Sequence, residues 1–486
     1  MVTMFNSVES CIDDVFTDTL RLGSVEIKGV SKEMTSDGFK RYVIDVEPTE
    51  DILHCCPHCG TVGKYYDTPR PEAGPKEWLS SPLAGNTRTV IRHKQHRIYC
   101  PRCGKVVVAA VPWASLNSGF TYALDEQIAW LFLHMNKEGI ANLLGIDWDS
   151  VQAAIDRVIK RLEKDLSRRL NGLVKIGIDE NAYGRGYKFI LIVYNHVTQE
   201  VVWVKEGRKE EVLDSFFELL TPEQRDAIEL VTCDGAEFIH NSVKKYCKNA
   251  KICLDTFHVS QWLTDDANEV RLDVRSQLEE EVNDLNATIK EINTDKSLNT
   301  EQRKEDSAPY KIAIANLKAK IELINKGKHL LTADTSNLDT GDQEKQKEFL
   351  AIDKSFNVIF ERMQSFRQIM KSDDIAYAAS EFEKLVRWAE KCPFESFNKR
   401  ANTLIKFKGE ILNTMKYKLT NGMVESTNNT IKVLIRRSYG FRNLDNLDKA
   451  IKFKCSQRYK TLHNGITRRV PRSDWMVCKR YSLKIA

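Results

Sequence analysis

The sequence predicts a multidomain α+β chain, and three observations carry that prediction. Two matched cysteine knuckles lie in the first quarter, strand-like runs alternate with helical segments from about residue 171, and a long polar stretch of helical heptads follows. The chain has 486 residues, 42% of them apolar and 29% charged, which is too long for one ordinary domain and too apolar for wholesale disorder. Lys and Arg number 73 against 68 Asp and Glu, so the net charge says little until it is located. No apolar run approaches the length of a membrane span, and residues 189–194 are only strand-sized. The first residues have neither a basic n-region nor an apolar h-region, so the chain reads as cytosolic.

Seven segments separate by pattern. Residues 1–50 form a β-rich lead-in, with Tyr42-Val-Ile-Asp-Val46 its clearest alternation, and 51–115 hold the knuckles. Residues 116–170 are helical, 171–264 strand-rich, 265–400 helical and polar, 401–445 carry one amphipathic helix, and 446–486 form a basic tail. In the strand-rich segment, 173–178 reads as a strand ended by Asp179-Glu180. A turn at Tyr183-Gly-Arg-Gly186 leads to strands at 187–194 and 200–204, an antiparallel meander. Helix 210–220, strand 229–234, a helix at about 237–248 and strand 251–255 complete a mixed sheet with helices on its faces. In the polar block Leu278, Val282, Leu285, Ile289 and Ile292, then Ile314, Leu317, Ile321 and Ile324, follow heptad steps on either side of a polar hinge at 294–309. That pattern predicts an antiparallel helical hairpin or short coiled coil, acting as a spacer.

Cys56-Pro-His-Cys59-Gly60 and Cys100-Pro-Arg-Cys103-Gly104 repeat one knuckle, each offering two sulfurs from a tight turn. Four such thiolates close a tetrahedral Zn2+ site, and the glycines permit the turn. The nearby His54, His58, His93 and His96 are then polar surface or phosphate-contacting groups. Residues 54–105 carry nine Lys or Arg against three acids, which suits a nucleic-acid backbone or, more plainly, a solvated basic face.

The next segment, from Lys137 to Ile155, fits a helix-turn-helix. Ala141 lets the helices cross, Gly145 serves the turn, Asp147 or Asp149 caps the second helix and Val151 locks it on the first. Ser150, Gln152, Arg157 and Lys160 would then face a DNA major groove, whereas a plain helical hairpin would give the same spacing.

Asp179 and Asp234 end two predicted strands that the meander can bring side by side. Carboxylates converge to hold cations, and Mg2+ prefers such oxygen ligands; taken singly, each aspartate also suits a strand-end cap. A third carboxylate, Glu425, lies on a helix starting at Asn421-Gly422. Val424, Thr427, Ile431 and Leu434 make its apolar stripe, and Glu425, Asn428 or Asn429, Lys432 and Arg436 a polar one.

Gly-Ile-Asp179-Glu, Val-Thr-Cys-Asp234, Asp255-Thr-Phe-His258-Val and Asn421-Gly-Met-Val-Glu425-Ser-Thr-Asn resemble the transposases of the ISL-three insertion-sequence family, as does the order of zinc knuckle, helix-turn-helix and core. The resemblance runs from about residue 50 to 460. It implies an RNase H-like mixed α/β catalytic core interrupted by a helical insertion, its first part at 171–264 and its Glu-bearing helix at 401–445. It implies a catalytic triad of Asp179, Asp234 and Glu425 holding two Mg2+ ions to cut and join DNA, with Asp255 and His258 supporting. From Ile431 onward 15 Lys or Arg face three acids, so Arg436, Arg437, Lys452 and Lys454 read as phosphate partners. The expected partners are the element's terminal inverted repeats, target duplex DNA and further copies of the chain, on the nucleoid. A DNA-binding regulator without catalysis and a structure-selective nuclease of the same fold are the competing readings.

Overall fold

The computed structural model describes residues 16–35, 38, 40–68, 74–83, 87–163 and 166–456. The predicted basic tail beyond 456 and the start of the lead-in lie outside these residues. Two compact units emerge. One contains the described residues up to Leu170, Thr198–Val201 and those from Thr430 onward; the other contains Asn171–Val197 and Val202–Asn429.

The first unit opens with strands β1 (Val25–Met34), β2 (Lys40–Pro48), β3 (Lys64–Asp67), β4 (Lys76–Ser80), β5 (Arg88–His93), β6 (Arg97–Cys100) and β7 (Lys105–Val108). They form two sheets, ordered β1-β2-β5-β4 and β3-β6-β7. The lead-in is therefore not a separate module, because β2 pairs in parallel with β5 from beyond the first knuckle. Ile44, Val46 and Ile91 from this sheet are buried with Trp78 and Trp113, a core that neither segment has the apolar residues to build alone. Helices α1 (Tyr122–Phe132), α2 (Lys137–Leu144) and α3 (Trp148–Leu162) follow. Gly145 ends α2 in the left-handed region at φ 62°, and Asp147, not Asp149, caps α3 by accepting from the Ser150 N–H at 2.7 Å. Val151, Ala154, Ile155 and Val158 are the buried stripe of α3.

The second unit is built on a five-stranded sheet of β8 (Lys175–Gly184), β9 (Lys188–Asn195), β10 (Glu200–Glu206), β11 (Leu230–Cys233) and β12 (Lys251–Leu254), in the order β10-β9-β8-β11-β12. Helix α4 (Glu210–Glu218) follows β10, and α5 (Glu237–Tyr246) joins β11 to β12. β8 runs antiparallel to β9 and parallel to β11, and β11 runs parallel to β12. β8 does not stop at Asp179. It continues to Gly184 because Glu180 and Ala182 keep pairing with Leu191 and Phe189, and the turn comes later, with Gly186 and Tyr187 at positive φ.

Helix α6 (Thr256–Thr294) starts directly after Asp255, so the helical block begins about nine residues earlier than its polarity suggested. It pairs with α7 (Thr300–Lys326) through Leu278, Val282, Leu285, Ile289, Ile314, Leu317 and Ile321, the heptad seam the sequence predicts. The hinge is shorter than expected. Asn299 and Gln302 form a capping box that starts α7, and Pro309 lies inside the helix, at the cost of one backbone hydrogen bond. Helices α8 (Thr340–Leu350), α9 (Lys354–Lys371), α10 (Ile375–Lys391), α11 (Glu395–Lys406) and α12 (Lys408–Tyr417) complete the block, packed around Phe349, Phe356, Phe366, Phe382 and Phe397. Among the described residues no helix is long and apolar enough to cross a membrane.

Helix α13 (Gly422–Arg437) lies against the sheet, and α14 (Leu444–Lys454) follows it. Two devices seat α13. Gly177 has no side chain, and a Cβ there would meet Val424 Cγ2 at 2.5 Å and His196 Nε2 and Thr232 Oγ1 at 3.0 Å. Beside it, Thr232 Oγ1 donates to Asn421 Oδ1 at 2.8 Å, so its single proton is spent and His196 Nε2, also 2.8 Å away, must be the donor to it.

Gly177→Val is therefore expected to destabilise the protein by about 1–3 kcal/mol through overpacking, measured by chemical denaturation. Burial, assisted by Lys175, pushes the His196 imidazole down to about 4. Above pH 6.5 the ring is neutral folded or unfolded; as the pH falls toward 4 only the unfolded chain takes the proton. Stability should fall by about 2 kcal/mol between pH 6.5 and 5 from this group, and His196→Gln should flatten that slope.

Candidate active site and metal centre

The register of the parallel strands brings three aspartates abreast. Thr232 on β11 pairs with Gly177 on β8 and with Cys253 on β12. Two residues further on, on the same face, stand Asp179, Asp234 and Asp255. That face is the one α13 covers, since Gly177 meets Val424, and α13 carries Glu425.

Each aspartate of the row accepts at least one hydrogen bond. Asp179 Oδ1 accepts the Glu180 N–H at 2.8 Å, and Oδ2 accepts Asn428 Nδ2 at 2.6 Å. Asp234 Oδ1 accepts the Ala236 N–H at 2.9 Å, while His240 Nε2 donates to the Asp234 carbonyl at 3.1 Å. Asp255 Oδ1 caps α6 by accepting the Phe257 N–H at 3.0 Å; its Oδ2 is buried with no hydrogen-bond donor and lies 3.8 Å from His258 Nε2. Glu180 points to the opposite face, its Oε2 3.4 Å from Arg208 Nε.

The electrostatics tie these groups together. Burial pushes the Asp179 carboxyl up to about 6; the Glu180 N–H and His258 oppose the rise, and Asp234 and Asp255 add to it. Burial also raises Glu425, and contact with Asp255 raises it further. Asp255 is thus the carboxylate that acts on both Asp179 and Glu425, which makes it more central than its order in the sequence suggests. Carboxylates near enough to raise one another, with one buried oxygen undonated, suit a hard divalent cation such as Mg2+. They stand wider apart than the cysteines, which are the one described group whose ligand atoms all lie within 4.8 Å of one another.

Those cysteines come from two copies of one turn. The Gly60 N–H donates to the Cys56 carbonyl and the Gly104 N–H to the Cys100 carbonyl, both at 2.9 Å, with both glycines at positive φ. Cys56 and Cys103 sulfurs are 3.9 Å apart and those of Cys59 and Cys100 3.4 Å. A tetrahedral Zn2+ with Zn–S of 2.3 Å requires S···S edges of about 3.8 Å, so the four thiols fit the ion. Hydrogen bonds from Thr61 pull the Cys59 thiol down to about 6, whereas the neighbouring Cys59 sulfur and burial push Cys103 up to about 12. The flanking histidines are not all surface groups. His93 and His96 are buried, His93 against the Val46 carbonyl and His96 against His54 at 3.0 Å.

On α3 the expected groove-facing residues divide. Lys160 is exposed. Ser150 Oγ donates to its own cap, Asp147, at 2.6 Å, and Gln152 accepts from Lys137 and donates to Asp156 at 3.0 Å. Arg157 does not point outward: its guanidinium makes a two-pronged pair with fully buried Asp125, at 2.6 and 2.9 Å. On α13, Lys432 and Arg436 are exposed, whereas Arg437 donates to the Leu133 and His134 carbonyls at the end of α1. Lys452 pairs with Asp448 at 2.9 Å.

Asn428 belongs to the buried stripe of α13, not the polar one, and it was the contact least legible in the sequence. A helical stripe drawn from apolar residues alone passes over an amide whose partner is a carboxylate 249 positions away.

Comparisons with known proteins show the family. A family profile described as transposase matches residues 176–451, and one described as the helix-turn-helix domain of transposase family ISL3 matches 109–159. The transposase for insertion sequence element IS1557 of Mycobacterium tuberculosis is 28% identical over 406 residues, covering 83% of this chain and 86% of that protein. The transposase for insertion sequence element IS1001 of Bordetella parapertussis is 22% identical over 436 residues, covering 87% and 94%. With more than half its length matched by the family, and the helix-turn-helix in its expected place, the chain belongs to transposase family ISL3.

Proposed function

We propose that this transposase binds the terminal inverted repeats of its own insertion sequence and carries out Mg2+-dependent DNA cleavage and strand transfer on an RNase H-like core. The observation that carries the reading is the row of Asp179, Asp234 and Asp255 across three parallel strands, faced by the helix that bears Glu425. Helices α6 to α12 fall in sequence between β12 and α13, which suits a helical insertion into that core.

Asp179, Asp234 and Glu425 are the proposed cation ligands and catalytic residues, with Asp255 and His258 supporting them. Two Mg2+ ions there would activate the attacking oxygen and stabilise the leaving one. The protein's part is geometric and electrostatic. The strand register spaces the aspartates, Asn428 and the Glu180 N–H orient Asp179, and the helix seat brings Glu425 to the acidic end. Water attacks the phosphorus at the element end and a 3′-oxygen leaves as a hydroxyl. That hydroxyl then attacks a target phosphodiester and displaces a second 3′-oxygen. Each step exchanges one P–O bond for another, so no protein nucleophile or energy cofactor is consumed.

DNA recognition falls to the zinc module and the helix-turn-helix, with Lys160, Lys432 and Arg436 as the exposed cations free to meet phosphate. Ser150, Gln152, Arg157 and Arg437 act by holding their helices. Two element ends must be held together, so a dimer or larger assembly on the nucleoid is the working form.

Purified protein should nick and join DNA carrying the native element ends with Mg2+ and not with chelator. Asp179→Asn and Glu425→Gln should each lower the rate by at least about 100-fold while end binding persists. Specific binding without cutting under any condition would instead identify a regulator. Elemental analysis should find one structural zinc per chain, bound by Cys56, Cys59, Cys100 and Cys103, and Cys100→Ser should lose both the metal and end recognition.

A further inference from the structure

We infer that Asn428 is a positioning residue for the first catalytic carboxylate, fixing the orientation in which Asp179 meets its cation. The inference rests on the proposed metal site, and it is argued from contacts on the covered face of the sheet. Asn428 is 6% exposed and Asn181 2%. Asn181 Nδ2 donates to the Asn428 backbone carbonyl at 3.3 Å and to its Oδ1 at 3.5 Å. That double contact turns the Asn428 oxygen toward Asn181, which leaves its NH2 aimed at Asp179 Oδ2, 2.6 Å away.

The opposite oxygen of Asp179 accepts the Glu180 N–H at 2.8 Å. Each oxygen therefore has one fixed donor and one remaining lone-pair direction, so the carboxylate plane cannot rotate freely about its bond to Cβ. Asn428 sits one turn beyond Glu425 on the same helix, so the contact that orients Asp179 also sets where Glu425 stands along β8. Packing alone does not explain the pair. Leucine would fill the volume of Asn428 without burying an amide, and Asn181 Oδ1 is left buried with no donor. A buried network kept incompletely satisfied points to a role other than stability.

The test uses full-length, zinc-loaded protein, with Asn428→Ala, Asn428→Leu, Asn429→Ala and Asp179→Asn beside wild type. Asn429 is the exposed neighbour on the same helix. Mn2+ binding is read without DNA by electron paramagnetic resonance, alongside cleavage against Mg2+ concentration, end-DNA binding and melting temperature. Loss of an outer-shell partner should weaken Mn2+ binding and raise the half-saturating Mg2+ about 10- to 100-fold, with the rate recovering at high Mg2+. End binding should be unchanged, and Asn429→Ala should match wild type. Asn428→Leu keeps the packed volume and carries the test if the alanine variant does not fold. Wild-type Mn2+ affinity in a folded Asn428 variant would overturn the inference, whatever its cleavage rate. Full Mn2+ binding and cleavage by Asp179→Asn would instead overturn the site reading beneath it.

Discussion

The acidic end of the sheet depends on how closely one helix approaches one strand. Gly177 lets Val424 of α13 press to a distance that no side chain on β8 would permit. Asn421 and Asn428, one turn before Val424 and one turn after it, are fastened to Thr232 and Asp179. Three contacts at helical spacing thus fix the rotation and the height of α13. Glu425, next to Val424, is carried with them. The parallel register does the rest, because Asp179, Asp234 and Asp255 share one row only if three strands keep the pairing that Gly177, Thr232 and Cys253 define.

The two candidate metal centres are built on different principles. The cysteine centre has little apolar core beside it, with Ile98 and Ala109 the buried hydrophobes around the sulfurs, so the ion itself would supply much of its folding energy. The carboxylate centre stands on a sheet whose inner strands are already buried, with Ile176, Ile178, Val231 and Leu254 at or near zero exposure. There the ion would relieve electrostatic stress instead of holding the fold. Burial, with a smaller contribution from the neighbouring carboxylates, raises the Asp179 and Glu425 carboxyls there.

Much of this was legible in the sequence because it rests on local chemistry. The knuckles, the Gly145 turn, the Asp147 cap and the heptads of α6 and α7 each carry their own signal within a few residues. The predicted meander also allowed the adjacency that β8 and β11 have. What stayed hidden depends on long-range pairing. The lead-in strands join a sheet with β4 and β5, which neither segment announces. Arg157 has the spacing of a groove cation, but its partner, Asp125, lies 32 residues earlier in the core. Asp255 caps α6 through one oxygen, and only the strand register sets it in a row with Asp179 and Asp234.

The most direct test of the central claim is anomalous diffraction from crystals soaked in Mn2+. The account predicts a manganese peak beside the Asp179 and Asp234 carboxylates, with the Glu425 side chain of α13 turned toward it. Manganese bound only away from these residues, or a Glu425 side chain turned out of the row when the ion is present, would contradict it.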